Sequence, residues 1–193
     1  MQKAALPKTA LVTGGSSGIG RAIANKFSEN KIKVAVADIK DLPGDHEDIL
    51  YKNCDVSESG DVEELYSWTV DTIGHPEILV INAYLGIQEK LTEGDPEKWQ
   101  KIINTNIMGA LRCIRAFTPN MIEQKKGHVV IISSVAAGQP HPYGGIYSAT
   151  KTALEVIAET LRLETVPHLK ITVISPGITD TSFFPINWRE IPV

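Results

Sequence analysis

Tyr147 and Lys151 stand four residues apart in Tyr147-Ser148-Ala149-Thr150-Lys151. Four residues is about one helical turn, so on a helix both side chains share a face. An ammonium beside a phenol favours the phenolate and lowers the tyrosine pKa from its ordinary value of about 10. A tyrosine tuned in this way exchanges a proton with a hydroxyl or carbonyl near neutral pH. Both residue types are common on helices, so the pair carries little weight alone. It gains weight from a glycine-rich segment near the N-terminus and from Ser134, thirteen residues before Tyr147. These supply a cofactor site and a second polar group for the reacting oxygen.

The glycine-rich segment is Thr13-Gly14-Gly15-Ser16-Ser17-Gly18-Ile19-Gly20, between a strand-like run and a helix-like one. Glycines let the backbone turn sharply and approach a pyrophosphate, and the helix start offers N–H groups at a positive dipole end. A triphosphate loop needs Gly-Lys-Ser/Thr at its end, whereas Gly20 is followed by Arg21-Ala22. Asp38 closes the second strand-like run. A carboxylate there accepts hydrogen bonds from a ribose diol and repels a 2′-phosphate. Ile39, not Arg, follows it, so the cofactor expected is NAD rather than NADP. Lys40 weakens that preference.

The elements that must position these groups alternate along the chain. Apolar strand-like runs are expected at 9–13, 33–38, 49–55, 78–82, 128–133 and 170–175. Helices are expected at 21–29, 62–73, 96–124 and 147–165, with a loop at 41–48 that holds Pro43 and Gly44. Near-continuous Val/Ile runs are strands buried on both faces, and helices between them are parallel crossovers. The fold expected is α/β: a doubly wound parallel sheet in three αβα layers, with ligands beyond the carboxyl ends of the strands. Gly14, Asp38, Asp55, Asn82, Ser134 and Pro176 all follow strand ends.

The chain has 193 residues, 42% hydrophobic and 22% charged, with net charge −4. That is one domain, 1–193, of ordinary globular composition. No basic stripe suggests nucleic acid, and no apolar run approaches the roughly 20 residues of a membrane span. The start, Met1 to Pro7, is too short for a signal peptide before the first strand. Cys54 and Cys113 lie in apolar segments without metal-like spacing and read as buried thiols of a cytoplasmic protein. His46, His75, His128, His141 and His168 are scattered, so no metal is expected.

Together the motifs resemble the short-chain dehydrogenase/reductase family, from Lys8 to Thr181. The resemblance rests on residues 13–20, Asp55-Val56, Asn82-Ala83, Asn106, Ser133-Ser134, Tyr147 to Lys151, and Pro176-Gly177 to Thr181. It implies that Ser134 hydrogen-bonds the substrate oxygen and that Tyr147 is the general acid/base. Lys151 would hold the nicotinamide ribose, and Asn106 would support a water-linked proton relay to Lys151. Gly14, Ser17, Gly18 and Ile19 would line the pyrophosphate and ribose. Asp55 and Val56 would flank the adenine, Asn82 would pack over the cofactor, and Thr181 would reach its carboxamide side.

Two features depart from the family pattern. Tyr84 stands where Gly usually follows Asn-Ala, with Gly86 two residues later. The usual substrate loop, last helix and seventh strand have no counterpart after Thr181, where Phe183, Phe184 and Trp188 are apolar enough to pack over the crevice or against a partner. A chain lacking that seventh strand would leave the sixth as a sheet edge. The 96–124 and 147–165 helices carry apolar stripes wider than one sheet face needs, which points to a homodimer through them. His141 and Tyr143, in the loop before Tyr147, are candidates for the substrate side. The reaction expected is hydride transfer between NAD(H) and a small alcohol or ketone. The alternatives are an NADP-dependent 3-oxoacyl thioester reductase and a non-catalytic dinucleotide-binding protein.

Overall fold

A computed structural model of the chain describes residues 7–42 and 48–181. Most of the 41–48 loop, and Phe183, Phe184 and Trp188, lie outside the described residues.

Six strands form the sheet: β1 (Thr9–Thr13), β2 (Lys33–Asp38), β3 (Ile49–Asn53), β4 (Ile78–Ile81), β5 (His128–Ile132) and β6 (Lys170–Ile174). All neighbours are parallel, in the order β3-β2-β1-β4-β5-β6. The helices are α1 (Gly18–Glu29), α2 (Ser59–Ile73), α3 (Pro96–Ile103), α4 (Gly109–Glu123) and α5 (Gly145–Thr165).

Alternation along the strands sorts the core into two layers. Ala10, Val12, Val34, Val36 and Val80 face α1 through Ala24. Leu11, Ala35, Leu79 and Val129 face α2, α4 and α5 through Leu65, Phe117 and Leu154. The doubly wound three-layer fold is therefore present. The strand order reverses direction between β1 and β4, the crevice where such sheets hold ligands. Among the described residues β6 is a sheet edge, and Val173 and Ile174 are exposed.

Several boundaries move. The first helix begins at Gly18 rather than Arg21, so the glycine segment runs directly into its first turn. β3 stops at Asn53, which frees Asp55 and Val56 to turn towards the strand ends. The expected single helix over 96–124 is two α-helices joined by a π-turn, Asn104–Met108. Its start is well specified: Pro96 occupies the first turn and the Asp95 carboxylate accepts the Glu97 N–H at 3.0 Å. Such π-turns often mark functional positions, and this one carries Asn106.

Candidate active site

The β1–α1 turn is built around backbone that only glycine suits. Gly14 has φ +65°, and a Cβ there would stand 2.8 Å from the Ala83 Cα. Gly18 has φ +51°. A Cβ on Gly20 would collide with the Gly14 carbonyl. The Ser17 side chain does not cap α1, which leaves the first N–H groups of the helix without that partner, and helix starts of this kind attract anions.

Asn82 ties this turn to the end of β4. Its Nδ2 donates to Thr13 O at 3.1 Å and Gly14 O at 2.8 Å, and its N–H donates to Thr13 Oγ1 at 3.0 Å. The buried Asn82 Oδ1 meets no donor of the described chain.

A cleft of about 370 Å³ opens between these strand ends. Gly14, Ser17, Gly18, Ile19, Asp38, Asp55, Val56, Asn82 and Thr181 all line it. The Asp38 carboxylate accepts Ser16 N–H through Oδ2 and Lys40 N–H through Oδ1, each at 3.0 Å. Asp55 Oδ1 accepts Ser57 N–H at 2.9 Å. Val56 packs on Gly109, where a Cβ would come within 2.7 Å of its methyl. Thr181 lies beside Gly18, where a Cβ would sit 3.3 Å from its methyl. Pro176 and Gly177 are not part of the cleft lining, and the Pro176 carbonyl instead accepts the Val135 N–H at 3.1 Å.

Ser134, Tyr147 and Lys151, the groups expected to handle the proton, are not part of the cleft lining. Ser134 follows β5 and caps the short 3-10 turn Val135–Ala137, accepting the Ala136 N–H at 3.2 Å. Tyr147 lies in the first turn of α5, nearly buried against Ile102 and Ala136. Burial raises its pKa above the ordinary tyrosine value, and its hydrogen bond with Ser134 pulls the other way.

Lys151 is only 1% exposed. Its Nζ donates to Ile132 O at 2.9 Å and lies 3.8 Å from the centroid of the Tyr84 ring, against 5.7 Å for the Tyr147 ring. Burial pushes the Lys151 pKa down to about 7. The expected depression of the Tyr147 pKa by Lys151 is therefore reversed here. The ammonium is turned towards Tyr84 and a strand carbonyl, and desolvation of the phenol dominates.

Asn106 is buried at the π-turn. Its Oδ1 accepts Leu85 N–H at 2.7 Å, and its Nδ2 donates to Leu85 O and Thr150 Oγ1, both at 3.0 Å. It thus holds the loop after β4 onto α5 through Thr150, the residue before Lys151, and not through Lys151 itself.

Sequence reasoning missed the cleft positions of Cys54, Lys101 and Thr105. Cys54 showed only as an apolar thiol, and its burial, with nearby carboxylates, pushes its pKa up to about 12. Lys101 and Thr105 carried no local signal. Tyr84 was flagged by its departure from the glycine pattern, but its contact with Lys151 was not foreseen. Among the described residues no three His, Cys, Asp or Glu groups stand close enough to hold a metal ion. No helix there is long and apolar enough to cross a membrane.

Comparison with known proteins agrees with this geometry. An uncharacterized oxidoreductase of Staphylococcus epidermidis is 32% identical over 187 residues, covering 90% of this chain and 79% of the relative. One of Thermotoga maritima is 32% identical over 193 residues, covering 95% of this chain and 74% of the relative. Among solved structures, the ligand-free aldohexose dehydrogenase of Thermoplasma acidophilum superposes with TM-score 0.87 at 30% identity, covering 91% of this chain and 68% of that one. The 3-ketoacyl-(acyl-carrier-protein) reductase of Brucella melitensis complexed with NADH gives TM-score 0.88 at 26% identity, covering 91% and 78%. The protein ElxO with NADP bound gives 0.85 at 29% identity, covering 92% and 76%. Residues 8–190 match the family model for short chain dehydrogenase. With the glycine turn, the switch-point cleft and the Ser134–Tyr147 pair on the matching fold, the chain belongs to the short chain dehydrogenase family of oxidoreductases.

Proposed function

We propose that the chain transfers a hydride between NAD(H) and a small alcohol or ketone, with Tyr147 as general acid/base. The observation that carries this reading is the hydrogen bond between Ser134 and the buried Tyr147, one helical turn from Lys151. The glycine cradle and the unpartnered Asn82 Oδ1 suit a dinucleotide whose pyrophosphate rests at the start of α1. When bound, that cofactor supplies the hydride donor or acceptor.

In the reducing direction Ser134 holds the carbonyl oxygen and the Tyr147 hydroxyl gives up its proton as negative charge develops there. In the oxidising direction the Tyr147 phenolate takes the hydroxyl proton. The raised Tyr147 pKa keeps the phenol protonated at neutral pH, which suits the donor role. Lys151 would hold the nicotinamide ribose once its ammonium turns from Tyr84, and Asn106 keeps the neighbouring loop and helix in register. Asp38 at the cleft wall supports NAD over NADP, since its carboxylate repels a 2′-phosphate.

Lys40 and Lys101 in the same wall, together with the likeness to a 3-ketoacyl reductase, support an NADP-linked 3-oxoacyl thioester reductase as the second reading. Tyr84 motivates the third, a dinucleotide-binding protein without turnover. We also propose a homodimer through the 96–124 segment (α3 and α4) and the 147–165 helix (α5).

The test is titration with NADH and NADPH, followed by nicotinamide fluorescence, and turnover on a panel of alcohols and ketones. Tighter NADH than NADPH binding is expected. Tyr147→Phe is expected to retain NADH binding while turnover falls by about 10²–10⁴-fold. Full turnover in that variant would refute the acid/base assignment. Preference for NADPH with thioester turnover would favour the second reading, and binding without turnover on any substrate would favour the third.

A further inference from the structure

Tyr84 joins the cleft to the buried Lys151. It is part of the cleft wall, whereas Ser134, Tyr147 and Lys151 are not. Its ring centroid lies 3.8 Å from Lys151 Nζ and 6.4 Å from the Tyr147 ring centroid. Leu85, Ile87 and Ile146 belong to the same apolar cluster, so the ammonium meets the ring with little water around it. A cation on an aromatic face gains most when both are desolvated. The contact therefore shares the stabilisation of a buried ammonium with the Ile132 carbonyl, which accepts its hydrogen bond.

The geometry suits the adenine and pyrophosphate half of a dinucleotide and obstructs the other half. Asp38, Asp55 and Gly14 line the cleft, whereas Lys151 does not, and Tyr84 both lines the cleft and holds its ring against the Lys151 ammonium. Asn82 and Ala83, immediately before it, are locked onto Thr13, whose hydroxyl accepts both of their backbone N–H groups. Asn106 locks Leu85, immediately after it. The backbone on both sides of Tyr84 is thus held, and relief must come from rotation of its side chain. Gly86, two residues on, is exposed and has no side chain of its own to fill that part of the cleft wall.

We propose that Tyr84 sets the dinucleotide affinity of this chain: its ring occupies the way to Lys151, and the nicotinamide half enters only when the ring swings off the ammonium. This rests on the dinucleotide reading of the cleft. It adds that the chain trades one partner of Lys151 for another, so that cofactor binding must first break an internal contact. The bound state then competes with a closed state, and apparent affinity falls by the fraction of molecules that are open.

The experiment compares the native chain with Tyr84→Phe and Tyr84→Gly. ADP, which reaches only the outer half of the cleft, is titrated by calorimetry, and NADH by nicotinamide fluorescence. The expected result is equal ADP affinity in all three chains, with NADH bound about tenfold more tightly by Tyr84→Gly than by the native chain. Tyr84→Phe keeps the ring and is expected to bind NADH within about twofold of native. ADP binding also reports that each variant is folded, and Tyr84→Ala serves if glycine unfolds the loop. Native-like NADH affinity in the ring-free variants, with ADP still bound, overturns the inference and leaves the proposed function standing. Failure of all chains to bind either ADP or NADH overturns both.

Discussion

Lys151 is the residue where cost and use meet most directly. Its ammonium is almost fully buried, with a pKa pushed down to about 7 from the usual lysine value by desolvation. An unfolded chain keeps that lysine protonated up to about pH 10. Between about 7 and 10 the unfolded state therefore binds the extra proton, and this group makes stability rise with pH. Below about 7 both states are protonated, and the fold carries the full penalty of the buried charge. Cys54, Cys113, Tyr84 and Tyr147 have raised pKa values and act in the opposite sense at alkaline pH. A comparison with Lys151→Met, which retains them, cancels their effect. Urea unfolding at pH 7 and pH 9.5 is expected to show the native chain gaining on the order of 2 kcal/mol relative to Lys151→Met. Parallel behaviour of the two chains would mean that the site hydrates Lys151 or pairs it well enough to hold an ordinary pKa.

At the scale of elements, the π-turn between α3 and α4 is the joint that holds the site together. It places one asparagine where it satisfies both backbone groups of Leu85 and the Thr150 hydroxyl. Asn106→Ala would leave Leu85 N–H and C=O without these partners in a half-buried loop. The expected loss is about 2 kcal/mol in denaturant unfolding, with faster hydrogen exchange at the Leu85 amide. Unchanged exchange at Leu85 would show that the loop holds without Asn106. The helices on either side were legible in the sequence because their apolar stripes have the helical period. The π-turn was not, because one wider turn barely shifts that period. Five of the six strands were legible from their Val/Ile runs, and β3 also, although Lys52 and Asn53 made its end hard to place. The glycine turn was legible because steric demand at Gly14 and Gly18 is local. The pairing of Lys151 with Tyr84 was not, because it depends on how closely the loop after β4 meets α5. The Tyr147 pKa failed for a related reason: spacing on a helix reveals a neighbouring charge but not the solvent that burial removes.

For the whole molecule, exposed apolar residues decide how copies of the chain would meet. Leu111 on α4, Met108 beside it, and Val156 and Leu163 on α5 are exposed large hydrophobic side chains. α4 and α5 both pack on the same face of the sheet. Exposed apolar side chains clustered on neighbouring helices are the mark of an association surface. Stable association buries roughly 1,200–2,000 Å², an area that two helices from each copy can supply. β6 offers a competing route, since its outer edge has no strand partner among the described residues and an open edge can pair with another chain. The two routes differ in what breaks them. Sedimentation of the native chain at micromolar concentration is expected to give twice the monomer mass of 21.1 kDa. Leu111→Asp with Val156→Asp is expected to return it to the monomer, because two buried carboxylates at one interface cost more than the apolar contact supplies. Val173→Pro, at an exposed β6 position whose N–H points away from β5, would instead dissolve an edge-paired dimer while leaving a helix-paired one intact. A native monomer would overturn the homodimer, and a dimer that survives the Asp pair but not the Pro would move the interface from the helices to the edge.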